Sequence, residues 1–417
     1  SSDTTYQVVF AAGSITDLGG NEYEQTSDYK FTTADTIDPT VNSFTPTDGA
    51  AGVAVAADII VTFSEAIKRG TGDITLKTDS GVVVATYSAA DSTNLLISGN
   101  TLTINPSADL SSDTTYQVVF AEGSITDLSG NTYKQTSDYK FTTADIIDPT
   151  ANSFIPTDDA TGVAVAADIT VTFSEAIKRG TGDITLKTES GVVVATYSAA
   201  DSTNLSISGN TLTINPSADL SSDTTYQVVF AAGSITDLSG NKYEQTGDYK
   251  FTTADIIDPT ASSFIPTDDA TGVAVAADIT VTFGEAIKRG TGDITLKTES
   301  GVVVATYSAA DSTNLSISGN TLTINPSADL SSDTTYQVVF AAGSITDLSG
   351  NKYEQTGDYK FTTADIIDPT ASSFIPTDDA TGVAVAADIT VTFGEAIKRG
   401  TGDITLKTES GVVVATY

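Results

Sequence analysis

The 417-residue chain carries 54 acidic against 19 basic residues, a net charge of -35, so nucleic acid and anionic lipid surfaces are repelled rather than sought. It has no Cys, His, Trp or Met, which removes disulfides, thiolate chemistry, the commonest general base and the commonest transition-metal ligand. No apolar run approaches the roughly 20 residues of a membrane span, and no signal-peptide pattern is present.

The organising feature is a repeat. Ser-Ser-Asp-Thr-Thr-Tyr-Gln-Val-Val-Phe begins at residues 1, 111, 221 and 331, a period of 110 residues without insertion or deletion. That is a whole small domain rather than a solenoid repeat of roughly 20–50 residues, so each unit can bury its own core. Boundaries fall at the recurring Phe-Thr-Thr-Ala-Asp…Asp-Pro-Thr junction, best read as Phe251 to Thr260. Residues 1–35 are then the tail of one module, 36–145, 146–255 and 256–365 are whole modules, and 366–417 is the head of another. The two end pieces lack the stretch corresponding to 308–330, and each is expected to expose unpaired strand edges. The expectation is that the parent chain continues or that neighbouring chains complete these halves.

Within 146–255 the strand signals come in order. Ser153–Ile155 opens, and Ile169, Val171 and Phe173 alternate with Thr170 and Thr172. Ile184 and Leu186 follow, then Val192–Tyr197, Leu205–Ile207, Leu212 with Ile214, the Tyr226, Val228, Phe230 run, and Tyr249 with Phe251. Turn residues stand between them, among them Gly180-Thr181-Gly182-Asp183, Glu189-Ser190-Gly191, Ser208-Gly209-Asn210 and Ser239-Gly240-Asn241. One helical turn near Ser174–Lys178 or Ile235–Leu238 is compatible with the pattern. About seven short half-buried strands predict an all-β chain, a tandem array of immunoglobulin-like β-sandwiches. Tyr226, at the start of a late strand after the polar Leu220–Thr225 crossover, has the form of a tyrosine corner.

The runs Pro156–Val165, Asp168–Ile177, Gly180–Leu186, Gly209–Pro216 and Asp237–Asn241 together resemble a bacterial Ig-like domain, the type found in S-layer proteins and large repetitive surface adhesins. The resemblance covers every module and implies a sandwich fold, an extracellular or cell-surface location and a spacer or adhesive role. It brings no catalytic residue. Copies at 111–197 and 221–307 differ at six positions, such as Glu122/Ala232 and Ser174/Gly284, none in the alternating apolar set.

Other chemistries find little support in the residues. Paired carboxylates suit glycoside hydrolysis, but nothing suggests a cleft, and no histidine is available to activate the plentiful Ser and Thr. Lys250 could in principle form an isopeptide staple to an Asn. The Thr170/Thr172 type of strand face could suggest ice binding, although Thr is simply a good exposed strand residue. Lys178-Arg179 reads as a local ion pair with Glu175 and Asp183, and Asn204-Leu205-Ser206 is a sequon expected to be coincidental.

Calcium is the cofactor expectation. Ca²⁺ takes roughly 6–8 oxygen ligands, and the EF-hand pattern is absent, so a site must be assembled from separated segments. In a seven-strand sandwich the loops after the second and sixth strands return to the linker pole. They carry Glu175 and Asp237 in 146–255, and the linker brings Asp145 and Asp148. The equivalent sets are Asp35, Asp38, Glu65 and Asp127, and Asp255, Asp258, Glu285 and Asp347. The alternative is that Asp148 caps a turn before Pro149 and Asp237 makes an Asx turn toward Gly240. The leading functional expectation is a structural fibre or adhesin stalk, stiff because the linkers carry Ile256-Ile257 and Pro259 rather than Gly/Ser. Its partners would be neighbouring repeats or other copies of the chain. The alternatives are a binding module for a glycan or a cell-surface or matrix protein, which aromatics on exposed loops would favour, with Tyr197 and Tyr243 the only candidates, and a spacer for an enzyme elsewhere.

Overall fold

The structure is a computed structural model that describes residues 1–89, 93–198, 203–309 and 313–417. Contacts divide the chain into two compact units, Ser1–Thr253 and Ala254–Tyr417. The modules are built alike, and 146–255 serves as the type. Its strands are β1 (Ala151–Ile155), β2 (Ala160–Val163), β3 (Ile169–Phe173), β4 (Ile177–Arg179), β5 (Asp183–Thr188) and β6 (Val193–Ser198), followed by β7 (Leu205–Ser208), β8 (Thr211–Ile214), β9 (Thr225–Phe230), β10 (Ile235–Asp237) and β11 (Tyr249–Thr253). Eleven short strands replace the seven or so expected. No helix occurs among the described residues.

Two sheets face each other, β1-β3-β8-β7 and β2-β11-β9-β5-β6, with a separate β4-β10 pair. All pairings are antiparallel except β2 with β11, which is parallel. Alternation explains the layers. Ile169, Val171 and Phe173 are fully buried, as are Leu212 and Ile214 opposite them, while the intervening threonines face outward. Tyr226, Val228 and Phe230 line the facing sheet with Ile184 and Leu186. The other two whole modules bury the equivalent residues in clusters of their own.

The segments read as helical turns are strands: Ile177–Arg179 and Ile235–Asp237 pair with each other. Glycine makes that pairing possible. A Cβ on Gly180 would sit 1.9 Å from the Gly233 carbonyl oxygen, so the two backbones cross where only glycine fits. The tyrosine corner is present. The Ser221 amide donates to the Tyr226 hydroxyl at 2.8 Å, and Tyr116 and Tyr336 accept the same bond at 2.9 Å.

In residues 1–35 only the counterparts of β9 and β11 pair, and Tyr6, Tyr29 and Phe31, whose equivalents are buried elsewhere, are exposed. In 366–417 the counterparts of β1 with β3 and of β5 with β6 pair.

Candidate metal centre

Three strand ends place the acidic residues. Glu175 stands in the tight link between β3 and β4, Asp237 closes β10, and Asp145 follows the β11 counterpart of the preceding module. Because β4 and β10 pair in register, Ile177 against Asp237, their ends are held at one pole. Carboxylate oxygens of Asp145, Glu175 and Asp237 all lie within 4.8 Å of one another, and the same holds for Asp35, Glu65, Asp127 and for Asp255, Glu285, Asp347.

Asp237 is 1% exposed and its geometry is fixed by hydrogen bonds. Its Oδ1 accepts from the Gly240 amide at 2.6 Å and the Asn241 amide at 2.8 Å, and Oδ2 accepts from Asn241 Nδ2 at 2.7 Å. The expected Asx turn and the expected convergence are therefore both present in one residue. Asn241 Nδ2 also donates to the Asp145 carbonyl at 3.2 Å. The Asp145 carboxylate in turn accepts from Ser112 Oγ of the preceding module at 3.1 Å. The linker aspartate is thus tied to the modules on both sides of it.

Burial pushes the Glu175 carboxyl up, and the neighbouring Asp145, Asp237 and Asp113 push it further. Glu65 behaves alike, through burial and then Asp35 and Asp127. Burial also acts upward on Asp237, but the hydrogen bonds from the Asn241 side chain and the Gly240 and Asn241 amides outweigh it and hold it below the usual range. Asp347 is lowered in the same way. The triads of Glu65 and Glu175 therefore each pair a firmly ionised aspartate, Asp127 or Asp237, with a glutamate that resists ionisation because it is desolvated and negative charge already surrounds it.

These residues could hold a cation. The donors are all oxygen, which suits Mg²⁺, Ca²⁺ or Mn²⁺ over softer ions. Ligands at roughly 2.3–2.6 Å from a shared Ca²⁺ lie at most about 5 Å apart, and the 4.8 Å spread fits inside that limit. The second linker aspartates, Asp38, Asp148 and Asp258, stand outside the triads. Asp38 instead has Lys134 Nζ 3.3 Å from its Oδ2.

Other expected sites are not assembled. Lys178 donates to the Leu238 carbonyl at 2.7 Å, and Arg179 donates to the Leu205 carbonyl, so the doublet ties loops together instead of forming the expected ion pair. Lys250 lies 3.6 Å from Glu189 and 3.9 Å from Asp248, both exposed carboxylates, and not against an Asn. Tyr197 and Tyr243 are each 4% exposed, which corrects their reading as exposed loop aromatics. Tyr243 packs edge-on against Phe173 and Phe230, at 5.0 and 5.3 Å between ring centres.

The sequence profile of the bacterial Ig-like domain matches residues 35–143, 145–253, 255–363 and 365–417. The chain belongs to this family. No curated protein matches it. Solved structures that are similar to it include a three-domain immunoglobulin structure of titin in an E-to-A mutated variant, at 8% identity, covering 79% of this chain and 99% of that one, with a TM-score of 0.38. Sidekick-1 immunoglobulin domains 1–5 align at 12% identity over 82% of this chain and 65% of that one, TM-score 0.24. Extracellular domains 3–5 of Drosophila OTK align at 10% identity over 80% and 99%, TM-score 0.20. Bacterial Ig-like domains in tandem are structural or binding modules, typically outside the cell. No helix among the described residues is long and apolar enough to cross a membrane.

Proposed function

We propose that this chain is a section of a non-enzymatic extracellular stalk or fibre whose module junctions are stiffened by calcium. The observation that carries the reading is the recurring triad. A linker aspartate and two loop carboxylates meet within 4.8 Å at each of Asp35, Asp145 and Asp255. A catalytic site has no need to recur once per module, whereas a joint does. Three carboxylates so close repel one another unless a cation sits among them, and the ion would then draw linker and loops together.

The sandwich cores do not depend on the triads, so removing the ion loosens the joint and leaves the strands intact. The test is limited proteolysis of the full chain with calcium and after chelation. Cleavage at Ile146-Ile147, both more than half exposed, should accelerate on chelation while circular dichroism stays unchanged. Equal cleavage in the two conditions would sink the calcium part of the proposal.

A further inference from the structure

A groove lies between β1 and the segment 243–248 that leads into β11. It holds about 260 Å³ in 146–255, and its counterpart in 256–365 holds about 240 Å³. Its lining is mixed. Ala151, Phe154 and Tyr243 are the apolar part, Asp158, Glu244 and Asp248 supply three carboxylates, and the rest is two threonines, a glutamine and a glycine. Two of the carboxylates are engaged. Asp158 accepts from the Lys250 amide at 2.9 Å, and Asp248 accepts from Gln227 Nε2 at 2.7 Å with Lys250 Nζ 3.9 Å away. The Glu244 carboxylate has no hydrogen-bond or ion-pair partner among the described residues, and neither has that of Asp148 on the linker.

Module 36–145 fills the same rim from within. There Lys134 stands where the other two modules have Glu244 and Glu354. Its Nζ lies 3.3 Å from Oδ2 of Asp38, the counterpart of Asp148 and Asp258. One copy thus already holds an ammonium at this place, while the other two present a pair of carboxylates without one. The nearest lysine in sequence, Lys242, runs instead over Gly233, its Cδ 3.4 Å from where a Cβ there would stand. The groove is also where the copies differ. Positions 134/244 and 137/247 line it, 152/262 lies on β1, and Ser174, which Gly284 replaces, accepts from the Thr150 amide at the end of the groove. Those are four of the six differences between the copies at 111–197 and 221–307, in an array whose core does not vary.

We propose that the grooves of 146–255 and 256–365 are docking sites for a lysine side chain presented by a basic partner protein. Its ammonium meets Glu244 and Asp148, as that of Lys134 meets Asp38. Its four-carbon stem lies on Ala151 and Phe154, whose half-buried ring is backed by Tyr249 at 4.3 Å between ring centres. Charge selects the partner. At a net charge of -35 the chain repels its own copies and draws in a basic protein. An exposed ion pair is worth little by itself, so one groove binds weakly, and the apolar floor adds what the charge lacks. The inference goes beyond the stalk reading, which needs no groove on the side of a module, and it does not depend on calcium at the joints.

The test uses the full chain and a synthetic probe, the capped peptide acetyl-Trp-Ser-Lys-Ser-Lys-Ser-amide. The chain has no Trp, so fluorescence anisotropy follows the probe alone. In salt that shortens the Debye length to about 8 Å, the parent chain should bind it saturably. Glu244→Lys with Glu354→Lys should bind about fivefold more weakly or worse. That variant carries the residue with which module 36–145 already folds. Asp219→Lys with Asp329→Lys, on the crossovers between β8 and β9 and their counterparts, makes the same change of charge elsewhere and should bind as the parent does. Acetylating both lysines of the probe should abolish binding. Lys134→Glu with Ser137→Gly gives module 36–145 the groove residues of the other two and should raise the capacity from two sites to three. The proposal is overturned by a parent chain that does not bind saturably, by equal losses in the two Lys variants or none in either, or by a capacity that stays at two. Undiminished binding of the acetylated probe would point to a neutral ligand such as a glycan and overturn it as well.

Discussion

The tyrosine corner gives the most direct handle on what holds each sandwich together. Tyr226→Phe removes one hydroxyl and leaves the ring, which is 1% exposed and stacked on Phe251 with 5.9 Å between ring centres. What is lost is the 2.8 Å bond from the Ser221 amide. A neutral hydrogen bond contributes about 1 kcal/mol net, and a donor stranded in the interior costs up to about 3 kcal/mol. Ser221 is exposed, so its freed amide can find water and the loss should sit near the lower figure. Making the change together at Tyr116, Tyr226 and Tyr336 lets the three whole modules shift in step. For a domain of this size about 1 kcal/mol corresponds to a midpoint roughly 4 °C lower. Differential scanning calorimetry measures it. A fall of less than about 1 °C would mean that the corner bond carries no weight. Loss of cooperative melting would mean that the ring, not the bond, had been disturbed.

Three further outcomes follow from the same geometry. Gly180→Ala drives a Cβ to within 1.9 Å of the Gly233 carbonyl, so it should cost about 3 kcal/mol or more in a urea titration, at the upper end of overpacking penalties; a cost under about 1 kcal/mol would show that β4 and β10 can separate freely. The pH response should depend on the cation. A carboxyl whose folded pKa is raised destabilises the fold progressively as pH climbs from the ordinary 4.5 of Glu175 to its higher folded value. With divalent ions removed, the melting midpoint should therefore fall between about pH 4.5 and neutrality, and calcium should abolish that fall; an identical profile with and without calcium contradicts the reading. Asp237 works in the opposite sense, since its lowered carboxyl stabilises the fold above the ordinary 3.8 and that support is lost as acid protonates it. Asn241→Ala should thus narrow the stable range on the acid side, read as a higher pH of acid unfolding. An unchanged acid midpoint would show that the Asn241 bonds do not hold Asp237 ionised.

Much of the fold was legible because burial of one face writes a period of two into the strand. Ile169, Val171 and Phe173 could be placed from alternation alone, and the Asx residues and glycines marked the turns. What escaped was short or irregular. Ile177–Arg179 and Ile235–Asp237 have three residues each, too few to display a period. The parallel strand Ala160–Val163 contains Gly162 at φ 67° and reads as loop. Tyr243 lies between Lys242 and Glu244, so its sequence neighbours suggest exposure, and only the two phenylalanines it meets across the sandwich explain its burial. The triads were legible from topology, because alternate loops return to one pole. The choice between Asp145 and Asp148 was not, since both lie on the linker. It is decided by Asn241, whose side chain holds the Asp145 carbonyl.

Uptake of an ion by the triads is tested most directly by a count of calcium bound by the full chain, by equilibrium dialysis at near-neutral pH. The three triads among the described residues predict three saturable ions per chain. At a free concentration one hundred times the dissociation constant, each ion would add about 2.7 kcal/mol to the structure that binds it. Glu65→Gln, Glu175→Gln and Glu285→Gln made together should remove that binding while leaving the strand content unchanged. Absence of saturable binding in the parent chain, or binding that survives the triple substitution, would contradict a cation at the joints.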